Sequence, residues 1–152
     1  MRDCPYPIAA LLPHQPPMIL LDKVIAYDDA TIITSVAITE SSLFLAPEGV
    51  PGHVGIEYMA QACGAFAGAQ ALDTGQQVKI GFLLGTRLCR VLMPWFRIGD
   101  HLTITATMIF HDEEMAAFDC KIEIDGQLAA DAQLKVYQPD NEQLLFDKGE
   151  ER

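Results

Sequence analysis

The sequence predicts a single α+β domain in which an antiparallel sheet wraps one long, buried central helix. Three observations predict it. A β-branched pattern before residue 40 reads as a hairpin, a helical pattern without a polar face runs from Gly52 to Leu72, and extended stretches follow one another after Gly75. The chain has 152 residues, 50% of them hydrophobic and 20% charged, enough to close one core. The domain is expected over residues 1–138, with residues 139–152, which carry five acids, as a loose solvated tail.

Residues 7 to 12 can form a helical turn or two, ended by Pro13. Met18 to Tyr27 is rich in Ile, Leu and Val and reads as a strand; Asp28-Asp29 is a turn, and Thr31 to Thr39 returns as its partner. Ser41 to Pro51, with Pro47, Gly49 and Pro51, is a loop. From Gly52 the period changes, because Ile56, Met59, Ala60, Cys63, Phe66, Ala67 and Gln70 fall three or four apart. The opposite face carries Ala62, Ala65, Ala69 and Ala71, so the helix is apolar all round and belongs inside. Gly64 and Gly68 each cost about 1 kcal/mol against alanine, and close approach of strands is the expected reason for them. Val78–Leu92, Leu102–Phe110, Ala116–Ile124 and Gln127–Tyr137 read as consecutive strands, with turns at Asp112-Glu113-Glu114 and Asp125-Gly126.

Composition narrows the function. The net charge of −11 argues against a nucleic-acid partner, because phosphate neutralisation needs Lys and Arg. Cys4, Cys63, Cys89 and Cys120 form neither a CxxC pair nor a metal-ligand cluster, so free thiols in a reducing, cytoplasmic setting are expected, with no metal. The apolar runs are too short for a signal peptide or a bilayer span, so no membrane role is expected. Four of the ten basic residues, Lys79, Arg87, Arg90 and Arg97, lie in a stretch with no acid. They are either a docking face for an acidic partner or scattered surface charge.

The segment that can do chemistry is PGHVGIEYMAQ, Pro51 to Gln61. Pro51 and Gly52 stand where the helix begins, and the first-turn N–H groups there lack intrahelical partners. A thioester carbonyl placed there would find an oxyanion hole, with Gly52 leaving room for the ligand. Glu57 follows one turn later in an apolar helix. Desolvation would raise its pKa toward that of a general acid or base; the bland alternative is a cap or a water-facing carboxylate. Gln61, one turn on, either orients Glu57 or a water or is a surface amide. His53 precedes Glu57 by four residues, so an acid–imidazole dyad is conceivable, although a ring pointing elsewhere is the favoured reading. His14 reads as structural, and Cys63, in the buried row, as a packing residue.

LLPHQPPMILLDKV (Leu11 to Val24), PGHVGIEYMAQA (Pro51 to Ala62) and WFRIGDHLTI (Trp95 to Ile104) resemble, in order and over about 130 residues, the bacterial β-hydroxyacyl-acyl-carrier-protein dehydratases. GFLLGTR (Gly81 to Arg87) beside GVPGHVGIEYMAQ looks closer to the dehydratase-like subfamily of aryl polyene clusters. The resemblance implies a hotdog fold and a dimer with sites at the interface, each taking a histidine from one subunit and an acid from the other. It implies partnership with another hotdog chain and with an acyl carrier protein, or a CoA thioester. No cofactor is implied, since phosphopantetheine arrives as part of the substrate. Glu57 matches the family's helix acid, and Gly52 and His53 match its oxyanion pair. The family's histidine would stand fourteen residues before the acid, where this chain has Leu43, followed by Phe44. The expectation is therefore dehydration of a 3-hydroxyacyl thioester in a site whose histidine comes from a partner, or from His53 or His14. The rivals are a hotdog thioesterase using Glu57 and Gln61, and a non-catalytic acyl-carrier-binding or stabilising subunit.

Overall fold

Burial alternates along the hairpin, and that alternation sets which side of the sheet faces the helix. The computed structural model describes residues 1–14 and 16–139, so the expected tail lies, apart from Pro139, outside the described residues. Helix α1 (Ile8–Leu11) is followed by strands β1 (Lys23–Tyr27) and β2 (Thr31–Ala37). In β2 every second residue is buried, Ile32, Thr34 and Val36 among them. The turn forms because Asp28 Oδ1 accepts from the Ala30 N–H at 2.9 Å and the Thr31 N–H at 2.8 Å. β1 starts at Lys23 rather than at the expected Met18, because the Met18 carbonyl and the Leu20 N–H bond to the Gln61 side chain instead of to a strand.

Strand β3 (Val50–Pro51) leads through a 3₁₀ turn (Gly52–Val54) into helix α2 (Gly55–Asp73). Tyr58, Met59, Ala62, Cys63, Ala65, Phe66 and Ala69 are all buried, on every side of α2. No helix among the described residues is long and apolar enough to cross a membrane. Beyond α2 come β4 (Phe82–Val91), β5 (Trp95–Phe96), β6 (His101–Asp112), β7 (Met115–Ile124) and β8 (Gln127–Tyr137). Asp125 and Gly126 both have positive φ, 51° and 78°, as a two-residue hairpin between β7 and β8 requires.

The six-stranded sheet runs β1-β2-β6-β7-β8-β4, all antiparallel, so it is not the simple succession of strands expected after the helix. β4 comes first in sequence but sits at the far edge, on β8, and β6 crosses back to pair with β2. All ten residues of β4 are exposed, Phe82, Leu83, Leu84, Leu88 and Val91 included. A long apolar edge strand is a pairing template.

The helix glycines serve a purpose other than the one expected. A Cβ on Gly68 would stand 2.2 Å from the Leu11 carbonyl oxygen, and one on Gly64 would stand 3.2 Å from Leu12 Cδ2. The N-terminal segment, not a strand, lies in the groove these residues leave. At the other end of α2, Asp73 accepts from Tyr6 Oη at 2.6 Å, from Tyr27 Oη at 2.8 Å and from Arg2 at 3.1 Å. These bonds tie the N-terminus to the end of the helix, where a carboxylate alone would be unfavourable beside the carbonyl end of the dipole.

Two predictions follow from this packing. Gly68→Ala drives a methyl group into backbone and should destabilise the fold by about 1–3 kcal/mol in urea titration. The Tyr6 and Tyr27 hydroxyls lower the Asp73 pKa, so its contribution is present above the unfolded carboxylate value and is lost as pH falls through the folded one. The Asp73 carboxylate in turn pushes the Tyr6 hydroxyl up to about 12, so that contribution holds below the unfolded tyrosine value and is lost as pH rises toward about 12. The melting-temperature gap between the native chain and Asp73→Ala should therefore be widest near neutrality and narrow at both extremes.

Candidate active site

Backbone pairing fixes where α2 begins. Val50 pairs with Phe96 and Pro51 with Trp95, holding the loop before the helix against the chain that follows β4. The Gly52 N–H donates to the Pro94 carbonyl at 2.8 Å, and a Cβ on Gly52 would stand 2.2 Å from the Met93 carbonyl oxygen. Both facts correct the expectation for this residue. Gly52 makes room for the crossing of residues 91–94 rather than for a ligand, and its amide is already engaged. Of the expected oxyanion pair, the His53 N–H is the first-turn donor left by helix geometry.

The ring of His53 is exposed, and among the described residues it makes no hydrogen bond or ion pair with Glu57. The imidazole that approaches the acid belongs to His14, with Nε2 3.9 Å from Glu57 Oε1. The N-terminal segment runs antiparallel along α2, with Leu11 against Gly68, Leu12 against Gly64 and His14 beside Glu57. Among the described residues His14 Nδ1 is buried with no hydrogen-bond partner. Sequence reasoning gave His14 a structural role, and the signal that could have moved it was the pair Gly64 and Gly68, which open a channel for the segment carrying it.

Gln61 is 1% exposed, not a surface amide. Its Oε1 accepts from the Leu20 N–H at 2.9 Å, while Nε2 donates to the Met18 carbonyl at 2.7 Å and to Glu57 Oε1 at 3.3 Å. Gln61 therefore gives one amide hydrogen to Glu57 and the other to the Met18 carbonyl. That leaves it no donor for the water a thioesterase would hold.

Glu57 is not in the dry pocket expected for it. Its side chain is 43% exposed, and neither Gly52 nor Glu57 lines the cavities of about 450 and 280 Å³ that flank α2. An apolar helix body does not close its own first turn. Leu43, in the place of the family histidine, lines the smaller cavity with Asp22, Ser42 and Tyr58, and Phe44 beside it has φ 68° and is exposed. Burial pushes the Tyr58 hydroxyl up to about 12.

The cysteines play no part in the site. Cys63 and Cys120 are buried with sulfurs 3.6 Å apart, and burial pushes the Cys63 thiol well up, as suits packing rather than attack. Among the described residues no group of three His, Cys, Asp or Glu is placed to hold a metal. The basic residues are spread along the chain on either side of β4 and within it. Arg90 is bound to Asp131, Nε to Oδ1 at 2.9 Å and Nη2 to Oδ2 at 2.5 Å. Lys79 precedes β4 and Arg97 follows β5, so the ten-residue strand β4 separates them, with Arg87 exposed along it.

An antiparallel sheet wrapped on one long helix is the hotdog architecture, and Glu57 stands on the first turn of that helix. Residues 6–147 match the ApeP-like family model, described as ApeP dehydratase, and the chain belongs to that family. It is 30% identical over 132 residues to the 3-hydroxyacyl-acyl-carrier-protein dehydratase FabZ of Streptococcus pneumoniae, covering 84% of this chain and 91% of that protein. The FabZ of Oleidesulfovibrio alaskensis is 31% identical over 133 residues, covering 84% and 85%. Among solved structures, the dehydratase heterocomplex ApeI:P from Xenorhabdus doucetiae superposes with a TM-score of 0.87 at 32% identity, over 92% of this chain and 95% of that one. A hypothetical thioesterase with coenzyme A from Streptococcus pneumoniae, at 15% identity, 77% and 84% coverage and a TM-score of 0.62, shares the fold alone.

The three bonds of Gln61 give a direct test. Gln61→Leu strands the Leu20 N–H and the Met18 carbonyl and releases Glu57. Unfolding in urea should show a loss of about 1–3 kcal/mol with an unchanged m-value.

Proposed function

We propose that this chain is the acid-bearing subunit of a dehydratase acting in the cytoplasm on 3-hydroxyacyl thioesters presented by an acyl carrier protein, and that a second hotdog chain supplies the missing histidine. The observation that carries this reading is a half-site: Glu57 is aligned by Gln61 at 3.3 Å yet 43% open, with Leu43 where the family has its base. The apolar edge of β4, unpaired among the described residues, offers the second chain a surface on which the sheet can continue. The heterocomplex among its structural relatives agrees with such pairing.

In the composite site the partner's imidazole takes the α-proton while the thioester carbonyl is polarised by the His53 N–H. Glu57 gives a proton to the β-hydroxyl, which leaves as water, and the electron pair of the broken C–H bond becomes the new double bond of a trans-2-enoyl thioester. With Arg90 engaged by Asp131 and Lys79 at the far end of β4, Arg97, two residues beyond the Trp95 that pairs with Pro51, is the cation nearest in sequence to the site's frame to receive an acidic carrier.

Incubating the chain alone, and mixed with a histidine-bearing hotdog partner, with 3-hydroxyacyl and plain acyl thioesters separates this reading from its rivals. Enoyl product in the mixture alone is the expected result. Free thiol from the plain acyl thioester would indicate an esterase, and silence throughout a binding subunit. Glu57→Gln in the mixture should lower turnover by about 100-fold or more with the melting temperature held; survival of activity would remove Glu57 from the site.

A further inference from the structure

We propose that His14 is a positioning residue for Glu57, holding the carboxyl through its Nε2–H so that only one carboxylate oxygen is free to exchange a proton with substrate. The inference rests on the reading of Glu57 as the acid of the site, and it begins from how firmly the N-terminal segment is strapped to α2. Upstream of His14, the Leu11 carbonyl lies so close over Gly68 that a methyl group there would stand 2.2 Å away. Downstream, the Gln61 amide grips the Met18 carbonyl at 2.7 Å and the Leu20 N–H at 2.9 Å. His14 lies between these two anchors, on the stretch that passes the first turns of α2. Its Nε2 faces Glu57 Oε1 at 3.9 Å, the same oxygen that Gln61 Nε2 already reaches at 3.3 Å.

The other ring nitrogen fixes the tautomer. Among the described residues His14 Nδ1 is buried and has no hydrogen-bond partner. A neutral imidazole carries one N–H; on Nδ1 it would be a buried donor without a partner, whereas on Nε2 it points at the carboxylate. An unpartnered buried N–H is the costlier of the two orphans. The burial of Nδ1 therefore places the hydrogen on Nε2, and a small rotation closes 3.9 Å to hydrogen-bond distance. Two donors, His14 and Gln61, then converge on Oε1, which leaves Oε2 to the substrate on a side chain that is 43% exposed. The acid is thus pre-oriented from behind by groups that never touch the substrate.

The experiment uses the full chain mixed with the histidine-bearing hotdog partner and a 3-hydroxyacyl thioester, with three replacements at one position. His14→Gln sets an amide nitrogen near Nε2, and His14→Asn sets one near Nδ1; His14→Leu keeps volume without a donor. His14→Gln should keep kcat within about threefold of the native mixture, while His14→Asn and His14→Leu should lose about 10- to 100-fold in kcat at nearly constant KM. Equal effects of the Gln and Asn variants, losses that track a fall in melting temperature, or full activity in His14→Leu would each overturn the proposal. Independently of turnover, nitrogen-15 NMR of the His14 ring should show the proton on Nε2 and a shift change in Glu57→Gln; a proton on Nδ1, or no response to that substitution, would overturn it as well. Glu57→Gln in the same assay separates the two claims. If it abolishes turnover while His14→Leu does not, only the role of His14 falls; if it leaves turnover intact, the reading of the site falls with it.

Discussion

The Gln61 side chain is the joint on which the rest of the site depends. One buried amide makes three hydrogen bonds, two to the backbone of residues 18–20 and one to Glu57. Each is worth only about 0.5–1.5 kcal/mol net, but leaving the buried partners unmade costs more, so the fork acts as a unit. Through it the N-terminal segment, the central helix and the Glu57 carboxyl share one frame. The same fork explains why β1 begins late, since the backbone groups that would extend it are already bonded.

The second constraint is the size of the residues on α2. A helix apolar on every side needs cover on every side, and the sheet covers only part of it. The N-terminal segment covers the remainder, which is possible only because Gly64 and Gly68 let backbone lie on backbone. Glycine inside a helix is unfavourable by about 1 kcal/mol each, and here the exchange is for the closeness that carries His14 toward Glu57. The carboxyl is placed by the helix axis and the imidazole by the strap, so both stand on supports that their own packing makes rigid.

Much of this was legible in the sequence, for reasons that differ element by element. The helix, the β1–β2 hairpin and the β7–β8 turn are written in local patterns: a 3.6-residue period, an Asp turn and Asp125-Gly126. The place of Glu57 on the first turn of α2 was legible from its spacing after Pro51-Gly52. The seat of β4 at the far edge was not, because a hydrophobic run announces a strand without naming its neighbour. His14 was missed for the same physical reason: it reaches Glu57 through an antiparallel crossing of segments 43 residues apart, and no local period records that. Gly52 was read as space for a ligand when its neighbour is the Met93 carbonyl, and the basic stretch was left between a docking face and scattered charge, a choice that no local pattern decides.

The openness of Glu57 has a further consequence for how such a chain can work. In an interface site of the family's kind, each pocket of a dimer takes its acid from one chain and its histidine from the other. Two copies of this chain would place Leu43 opposite Glu57 in both pockets. A pair made with a histidine-bearing chain would complete the pocket that uses Glu57, while the other pocket would set the partner's acid against Leu43. On the proposed reading the heterodimer thus has one competent pocket by construction, and Leu43 relieves this chain of supplying a base while leaving its acid, its Gln61 fork and its β4 edge under constraint. The features that hold Glu57 in place are the ones such an asymmetric pair must keep, and they are intact here although the histidine is gone.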